Sequence, residues 1–235
     1  MPNYCFNQVK APKKVLEDLY MDGKITFQKL VPMPKSLMLE EGSETEKAVL
    51  YAVLKKDYAT RSNLINLLSN TSEEFRRNYW QRLTRSFSLD KPSGLVDVMK
   101  KLEEEQKKFV PDEDEKKLGI KTFEQLGDTY IDNLIKYKSM TWYKWSIENW
   151  GTKWDAFECH GKPEEELLTF ITAWAPPDPI IEKLLRKYSN EKIEWEYEEE
   201  GTGIKGKYST DGKGNIYQEE YELKYSEEDD EEEEY

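Results

Sequence analysis

A chain of 235 residues with 37% apolar and 35% charged residues is long enough for one large domain, or for one domain carrying a sizeable insertion. Aromatic side chains, at 13%, supply core area that the scarce aliphatics do not. A formal charge of -13 argues against phosphate backbones and anionic lipid as partners and favours basic protein surfaces, and no apolar run approaches the ~18 residues that would suggest a membrane span.

Much of the charge is concentrated at one end. Residues 226–235 hold eight acids and no base, and without them 40 acids face 35 bases, leaving a body charge of -5. The two cysteines, Cys5 and Cys159, allow one disulfide but no disulfide framework. The start of the chain lacks a charged segment followed by an apolar one, so no signal peptide is expected. The expected compartment is the cytoplasm.

Residues 3–9 read as a first strand. Pro12 can open a helix, and Val15, Leu16, Leu19 and Tyr20 repeat at helical spacing through about Met21. Phe27–Val31 reads as a brief extended piece stopped by Pro32 and Pro34. Residues 36–139 change to helical periodicity. Val49, Leu50, Val53 and Leu54 mark one helix, and Leu64, Ile65, Leu67 and Leu68 a second. Thr71–Glu74 fits a capping box opening a third. Leu95, Val96, Met99 and Leu102 mark another, and Thr122 begins a last one through Tyr137.

Four of the seven tryptophans fall within residues 142–154. Tyr143, Trp145 and Ile147 alternate with Trp142, Lys144, Ser146 and Glu148, which predicts a strand with one apolar face, broken at Asn149–Gly151. Cys159–Pro163 reads as a turn and Leu167–Trp174 as a strand. Asp178 and Pro179 suit the N-cap and first turn of a helix buried through Ile180, Ile181, Leu184, Leu185 and Tyr188. Ile193, Trp195 and Tyr197 alternate with Glu194, Glu196 and Glu198 as a half-buried strand. Residues 204–209 and 215–225 pair as a hairpin around Asp211–Gly214.

Setting the helical stretch aside, the order is strand, helix, strand, strand, helix, strand. That is the split βαβ order of an α+β, ferredoxin-like antiparallel sheet. The expected organisation is residues 1–35 and 140–225 as this domain with its added hairpin, 36–139 as an all-helical insertion, and 226–235 as an acidic tail.

Five stretches carry a resemblance: Met1–Asn7, Phe27–Pro34, Trp142–Trp154 (above all Glu148–Trp154), Thr172–Pro177 and, more weakly, Tyr197–Gly206. In order along the chain, they resemble the YubB/Api-like family of phage and plasmid proteins with a ferredoxin-like domain. The resemblance implies a mobile-element origin and that fold, and it names no reaction. No cofactor is expected: an iron–sulfur cluster needs about four thiolates.

Several residues invite chemistry. Cys159 beside His160 suggests a nucleophile and base, yet no third orienting group is evident, and two thiols with one imidazole fall short of a four-ligand zinc site. Asp155 with Glu158, or the run Glu164–Glu166, offers paired carboxylates of the kind that a chain so rich in acid produces by chance. The candidate binding residues are more informative. Trp150, Lys153 and Trp154 can present aromatic faces and a cation at a surface, although core packing accounts for the indoles equally well. Arg76, Arg77, Arg82 and Arg85, with Lys91, make one basic patch suited to a phosphate or an acidic partner. Glu194, Glu196 and Glu198, with Glu199, Glu200, Glu219, Glu220 and Glu222, make an acidic surface.

The expected function is therefore a non-enzymatic interaction module that binds a basic surface on a host or element-encoded protein, with inhibition of a defence or nucleic-acid-handling complex as its concrete form. The alternative is a small-ligand or nucleic-acid binding module using the exposed tryptophans and the arginine helix.

Overall fold

The computed structural model describes residues 3–56, 94–199, 201 and 203–222. The chain divides into two compact units, Met1–Met33 with Ser146–Tyr235, and Pro34–Trp145.

The first unit is built on a six-stranded antiparallel sheet. Its strands are β1 (Tyr4–Lys10), β4 (Phe157–Lys162), β5 (Leu167–Ala173), β6 (Lys192–Glu199), β7 (Ile204–Asp211) and β8 (Ile216–Glu222), in the order β4-β5-β1-β6-β7-β8. A separate two-stranded ribbon joins β2 (Tyr20–Met21) and β3 (Lys24–Ile25). The first four strands of the order are those of a split βαβ ferredoxin-like sheet, with helix α1 (Lys13–Leu16) and its 3-10 extension Glu17–Leu19 after β1, and helix α7 (Asp178–Lys187) between β5 and β6. β7 and β8 form the expected hairpin.

Alternation sorts the side chains of each strand to two faces. Cys5, Asn7 and Val9 of β1, Leu168 and Phe170 of β5, and Ile193 and Trp195 of β6 are buried. Helix α7 adds Ile180, Ile181, Leu184 and Leu185, all at 0% exposure. An edge-to-face aromatic series runs through this core. Trp150 meets Phe27 at 5.9 Å, Phe27 meets Phe170 at 5.8 Å, and Phe170 meets Trp195 at 5.7 Å.

Four local expectations are corrected. Trp142–Trp150 is a helix, α6, not a strand: Trp145, Ser146 and Trp150 are its buried residues, spaced one and four apart, which is a helical stripe rather than a strand face. Phe27–Leu30 is a turn, with the Val31 N–H returning to the Phe27 carbonyl at 2.8 Å. The stretch read as a turn at Cys159–Pro163 supplies β4, so the second strand of the ferredoxin-like order comes from there. Asp178 also sits inside the first turn of α7, with Pro177 at the N-cap, and its carboxylate accepts from Tyr208 Oη at 2.9 Å instead of capping the helix.

Every regular element described in the second unit is helical: α2 (Ser43–Lys55), α3 (Gly94–Lys108), α4 (Glu113–Lys117), α5 (Phe123–Tyr137), the start of α6 and the 3-10 turn Lys35–Leu37. Thr122 caps α5 by accepting from the Gln125 N–H, and Asp112 caps α4 through a reciprocal box with Glu115. Its core gathers Leu39, Val49, Ala52, Leu102, Phe123 and Leu126. Helices α2 and α5 come together at Gly127, where any Cβ would strike the Ala48 carbonyl and lie 2.8 Å from the Ala52 methyl. The helices proposed around Leu64–Leu68 and the capping box at Thr71–Glu74 fall outside the described residues.

Candidate protein-binding face

The strand register lays the outward side chains of the sheet in rows. One row reads Ile171, Phe6, Glu198, Lys205, Tyr221, and the next reads His160, Thr169, Gln8, Glu196, Lys207, Glu219. Helix α7 contacts the other face, where Asp178 accepts from Tyr208 beside Tyr197; on these rows Ile171 is buried, at 6% exposure. Phe6, on the central strand β1, is 43% exposed. A concavity of about 360 Å³ opens beside it, bordered by Gln8, His160, Ile171, Glu196 and Glu198.

The three glutamates proposed as an acidic surface, Glu194, Glu196 and Glu198, do lie on this face, but in a mixed-charge lattice. Lys207 Nζ is 3.0 Å from Glu194 and 3.4 Å from Glu196, and Lys205 Nζ is 3.5 Å from Glu198. The hydrogen bond that the Lys207 ammonium donates to Glu194 holds its pKa above the ordinary value, so it stays charged. Exposed pairs of this kind contribute about 0–1 kcal/mol each to stability. Their larger effect is to neutralise the centre of the face and leave Phe6 as its protruding apolar group.

At one end of the sheet the face meets an aromatic rim. Lys153 Nζ lies 4.7 Å from the Trp154 ring centroid and 5.3 Å from that of Trp174. Trp154 meets Phe157 at 6.3 Å, and Phe157 meets Tyr4 at 5.6 Å. The rim is held by its backbone. Thr152 Oγ1 both donates to the Ala173 carbonyl and accepts from the Ala173 N–H, each at 3.0 Å. Gly151, at φ 79°, lets the chain turn against α7, where a Cβ would lie 2.7 Å from Pro179 Cδ. Trp174 is 40% exposed at φ 74°, a left-handed conformation that side-chain-bearing residues resist.

Of the predicted binding residues, Lys153 and Trp154 belong to this rim. Trp150 does not: it is 2% exposed and donates its indole N–H to the Val31 carbonyl at 2.9 Å, so its role is in the core. Arg76, Arg77 and Arg82, like Arg85 and Lys91, lie outside the described residues. Phe6 and Trp174 were missed. The alternation of β1 placed Phe6 opposite Cys5 and Asn7, but nothing in the sequence says which face of a sheet its helices leave bare.

The chemical candidates separate in space. Cys159 and His160 are adjacent on β4 and so project to opposite faces. The Cys159 thiol is pushed up to about 11, first by burial and then by the Asp155 charge, and Cys5 to about 12, chiefly by burial, so neither is poised as a thiolate. Both are free thiols. The Asp155 carboxylate accepts from Thr26 Oγ1 at 2.5 Å, the Phe27 N–H at 2.8 Å and the Ala156 N–H at 2.9 Å, whereas Glu158 is exposed. Asp155 thus pins the Phe27 turn. Glu164 forms an exposed ion pair with Lys13 at 2.9 Å. Among the described residues no group of three or more His, Cys, Asp or Glu side chains could hold a metal ion, and no helix is long and apolar enough to cross a membrane.

A six-stranded antiparallel sheet with the split βαβ order, completed by a C-terminal hairpin, sets the comparison with known proteins. Residues 149–235 match the family model of the ferredoxin-like domain in Api92-like proteins. The matched segment carries β4 to β8, α7 and the Lys153–Trp154 part of the rim. Among solved structures, the crystal structure of a protein api92 from Yersinia pseudotuberculosis aligns over 96% of this chain and 100% of its own, at 13% identity and a TM-score of 0.39. No curated protein matches the chain.

Proposed function

We propose that this chain is a non-enzymatic binding module that docks a protein partner on the bare face of its ferredoxin-like sheet, with the Trp154–Lys153–Trp174 rim as a second contact. The observation that carries this reading is Phe6, a large apolar side chain 43% exposed at the middle of a sheet, flanked on its β6–β7 side by charged pairs. An apolar centre inside a polar rim is the anatomy of a protein interface. The resemblance to phage and plasmid proteins supports a mobile-element origin, and with it a host or element-encoded partner met in the host cytoplasm, including components of defence or nucleic-acid-handling complexes.

The test is quantitative capture from lysate of the native host with the wild-type chain and with Phe6→Glu. Phe6→Glu is expected to lose a specific partner by about tenfold or more while keeping its circular dichroism and melting temperature. Identical recovery with both chains contradicts the reading.

A second reading is favoured by one observation, the two indoles flanking the Lys153 cation. Here a planar ligand or a nucleic-acid base stacks on Trp154 or Trp174. The carboxylates of Glu194, Glu196 and Glu198 on the adjoining face weigh against a polyanion. Tryptophan fluorescence unchanged by nucleotides and oligonucleotides removes this reading.

A further inference from the structure

The two edges of the sheet are built differently. The β4 edge is irregular: its pairing with β5 slips between Phe157 and His160, Glu158 sits at φ 48°, and Lys162 ends the strand. Bulges, kinks and lysines are the devices that keep an edge from pairing. β8 has none of them. It pairs with β7 in unbroken register from Ile216 to Glu222, contains no lysine or proline, and is exposed at every residue.

The Asp211 N–H donates to the Asn215 carbonyl at 3.3 Å. Counting along the alternating ladder makes 209–217, 207–219 and 205–221 the hydrogen-bonded pairs, so the N–H and C=O groups of Gln218 and Glu220 face away from β7. β8 stands last in the strand order, and these groups have no strand partner among the described residues. Tyr217 and Tyr221, each 50% exposed, flank Glu219 on the bare face of the sheet. The Lys207 ammonium opposite Glu219 is committed to Glu194 and Glu196, and among the described residues no cation pairs with Glu219 or Glu222.

We propose that β8 is a docking edge that takes up an extended strand of a protein partner bearing lysine or arginine at alternate positions. Backbone groups facing outward supply the ladder, Tyr217 and Tyr221 supply apolar contact, and Glu219 between them on the same face selects for cations. A second copy of this chain is the wrong occupant: antiparallel pairing of β8 with itself about Glu219 sets carboxylates against one another, in a chain of formal charge -13. The inference rests on the reading of the chain as a binding module and adds the mode of docking and the chemistry of the partner.

The test titrates the full chain with a short peptide of alternating lysine and valine, using the same peptide with glutamate for lysine as control, and follows backbone amides by NMR. The expected result is binding of the lysine peptide alone, shifts and exchange protection centred on Gln218 and Glu220, and weakening with salt as exposed charges are screened. Gln218→Pro and the double variant Tyr217→Lys/Tyr221→Lys are each expected to lower affinity about tenfold or more. No binding, equal binding of both peptides, shifts centred elsewhere, or self-association of the chain through β8 overturns the proposal. Failure here together with Phe6-dependent capture of a partner would sink the edge and leave the sheet face standing.

Discussion

Trp195 donates its indole N–H to Oδ1 of Asn7 at 3.1 Å, with both side chains buried. The Asn7 amide in turn donates to the Cys5 carbonyl and to Thr172 Oγ1, each at 2.9 Å. One asparagine thus satisfies polar groups from β1, β5 and β6 at the centre of the sheet. Replacing it by leucine keeps the size but strands the indole N–H, and is expected to cost about 2–3 kcal/mol of stability in urea unfolding. A loss well below 1 kcal/mol would show that the network is not needed.

Asp155 ties the turn at Phe27 to the start of β4. Asp155→Ala leaves two amides and a hydroxyl without their acceptor and is expected to destabilise by about 2–3 kcal/mol. The charge itself is a liability. Burial raises the Asp155 pKa above 3.8, and hydrogen bonds from Thr26, Phe27 and Ala156 only partly oppose it. As pH rises through the interval between the ordinary and the raised value, the unfolded chain gives up its proton before the folded one. The contribution of this group is therefore complete at low pH and declines on the way to neutrality. Unfolding measured across mildly acidic pH should show that decline in the wild type and a flatter profile in Asp155→Asn.

Gly127 admits no side chain between α2 and α5. Gly127→Ala is expected to lower stability by about 1–3 kcal/mol despite the better helix propensity of alanine, because the obstacle is backbone. A raised melting temperature would mean that the helices do not meet there.

Trp174 is kept where glycine suits the backbone better. Left-handed placement of a non-glycine residue costs roughly 1–3 kcal/mol, and the greater freedom of glycine in the unfolded chain takes back part of any gain. Trp174→Gly is accordingly expected to leave stability within about 1 kcal/mol of wild type while weakening partner capture. Loss of folding would make Trp174 a structural residue.

The sheet was largely legible: β5 and β6 lie close to where period-two patterning placed them, the hairpin close to where its turn at Asp211–Gly214 placed it, β1 close to the strand read over residues 3–9, and α7 shows its helical stripe plainly. Trp142–Trp150 misled because a short run rich in aromatics satisfies two periods at once. Tyr143, Trp145 and Ile147 suggest a strand, whereas Trp145, Ser146 and Trp150 make the helical stripe that packing selected. The turn at Phe27 depends on a carboxylate 128 residues away, a contact that no local pattern encodes. β4 was hidden by its polar, bulged sequence. At the candidate site, Lys153 and Trp154 could be found from composition, but their exposure, and the burial of Trp150, follow from which indole the Val31 carbonyl receives.

The central claim is that a partner covers the bare sheet face. Hydroxyl-radical footprinting of the chain alone and of the chain purified with its captured partner tests it most directly. The account predicts that Phe6 and Trp174 are readily oxidised in the free chain and shielded in the complex, while buried Trp195 is unreactive in both. Unchanged oxidation of Phe6 in the complex would contradict it.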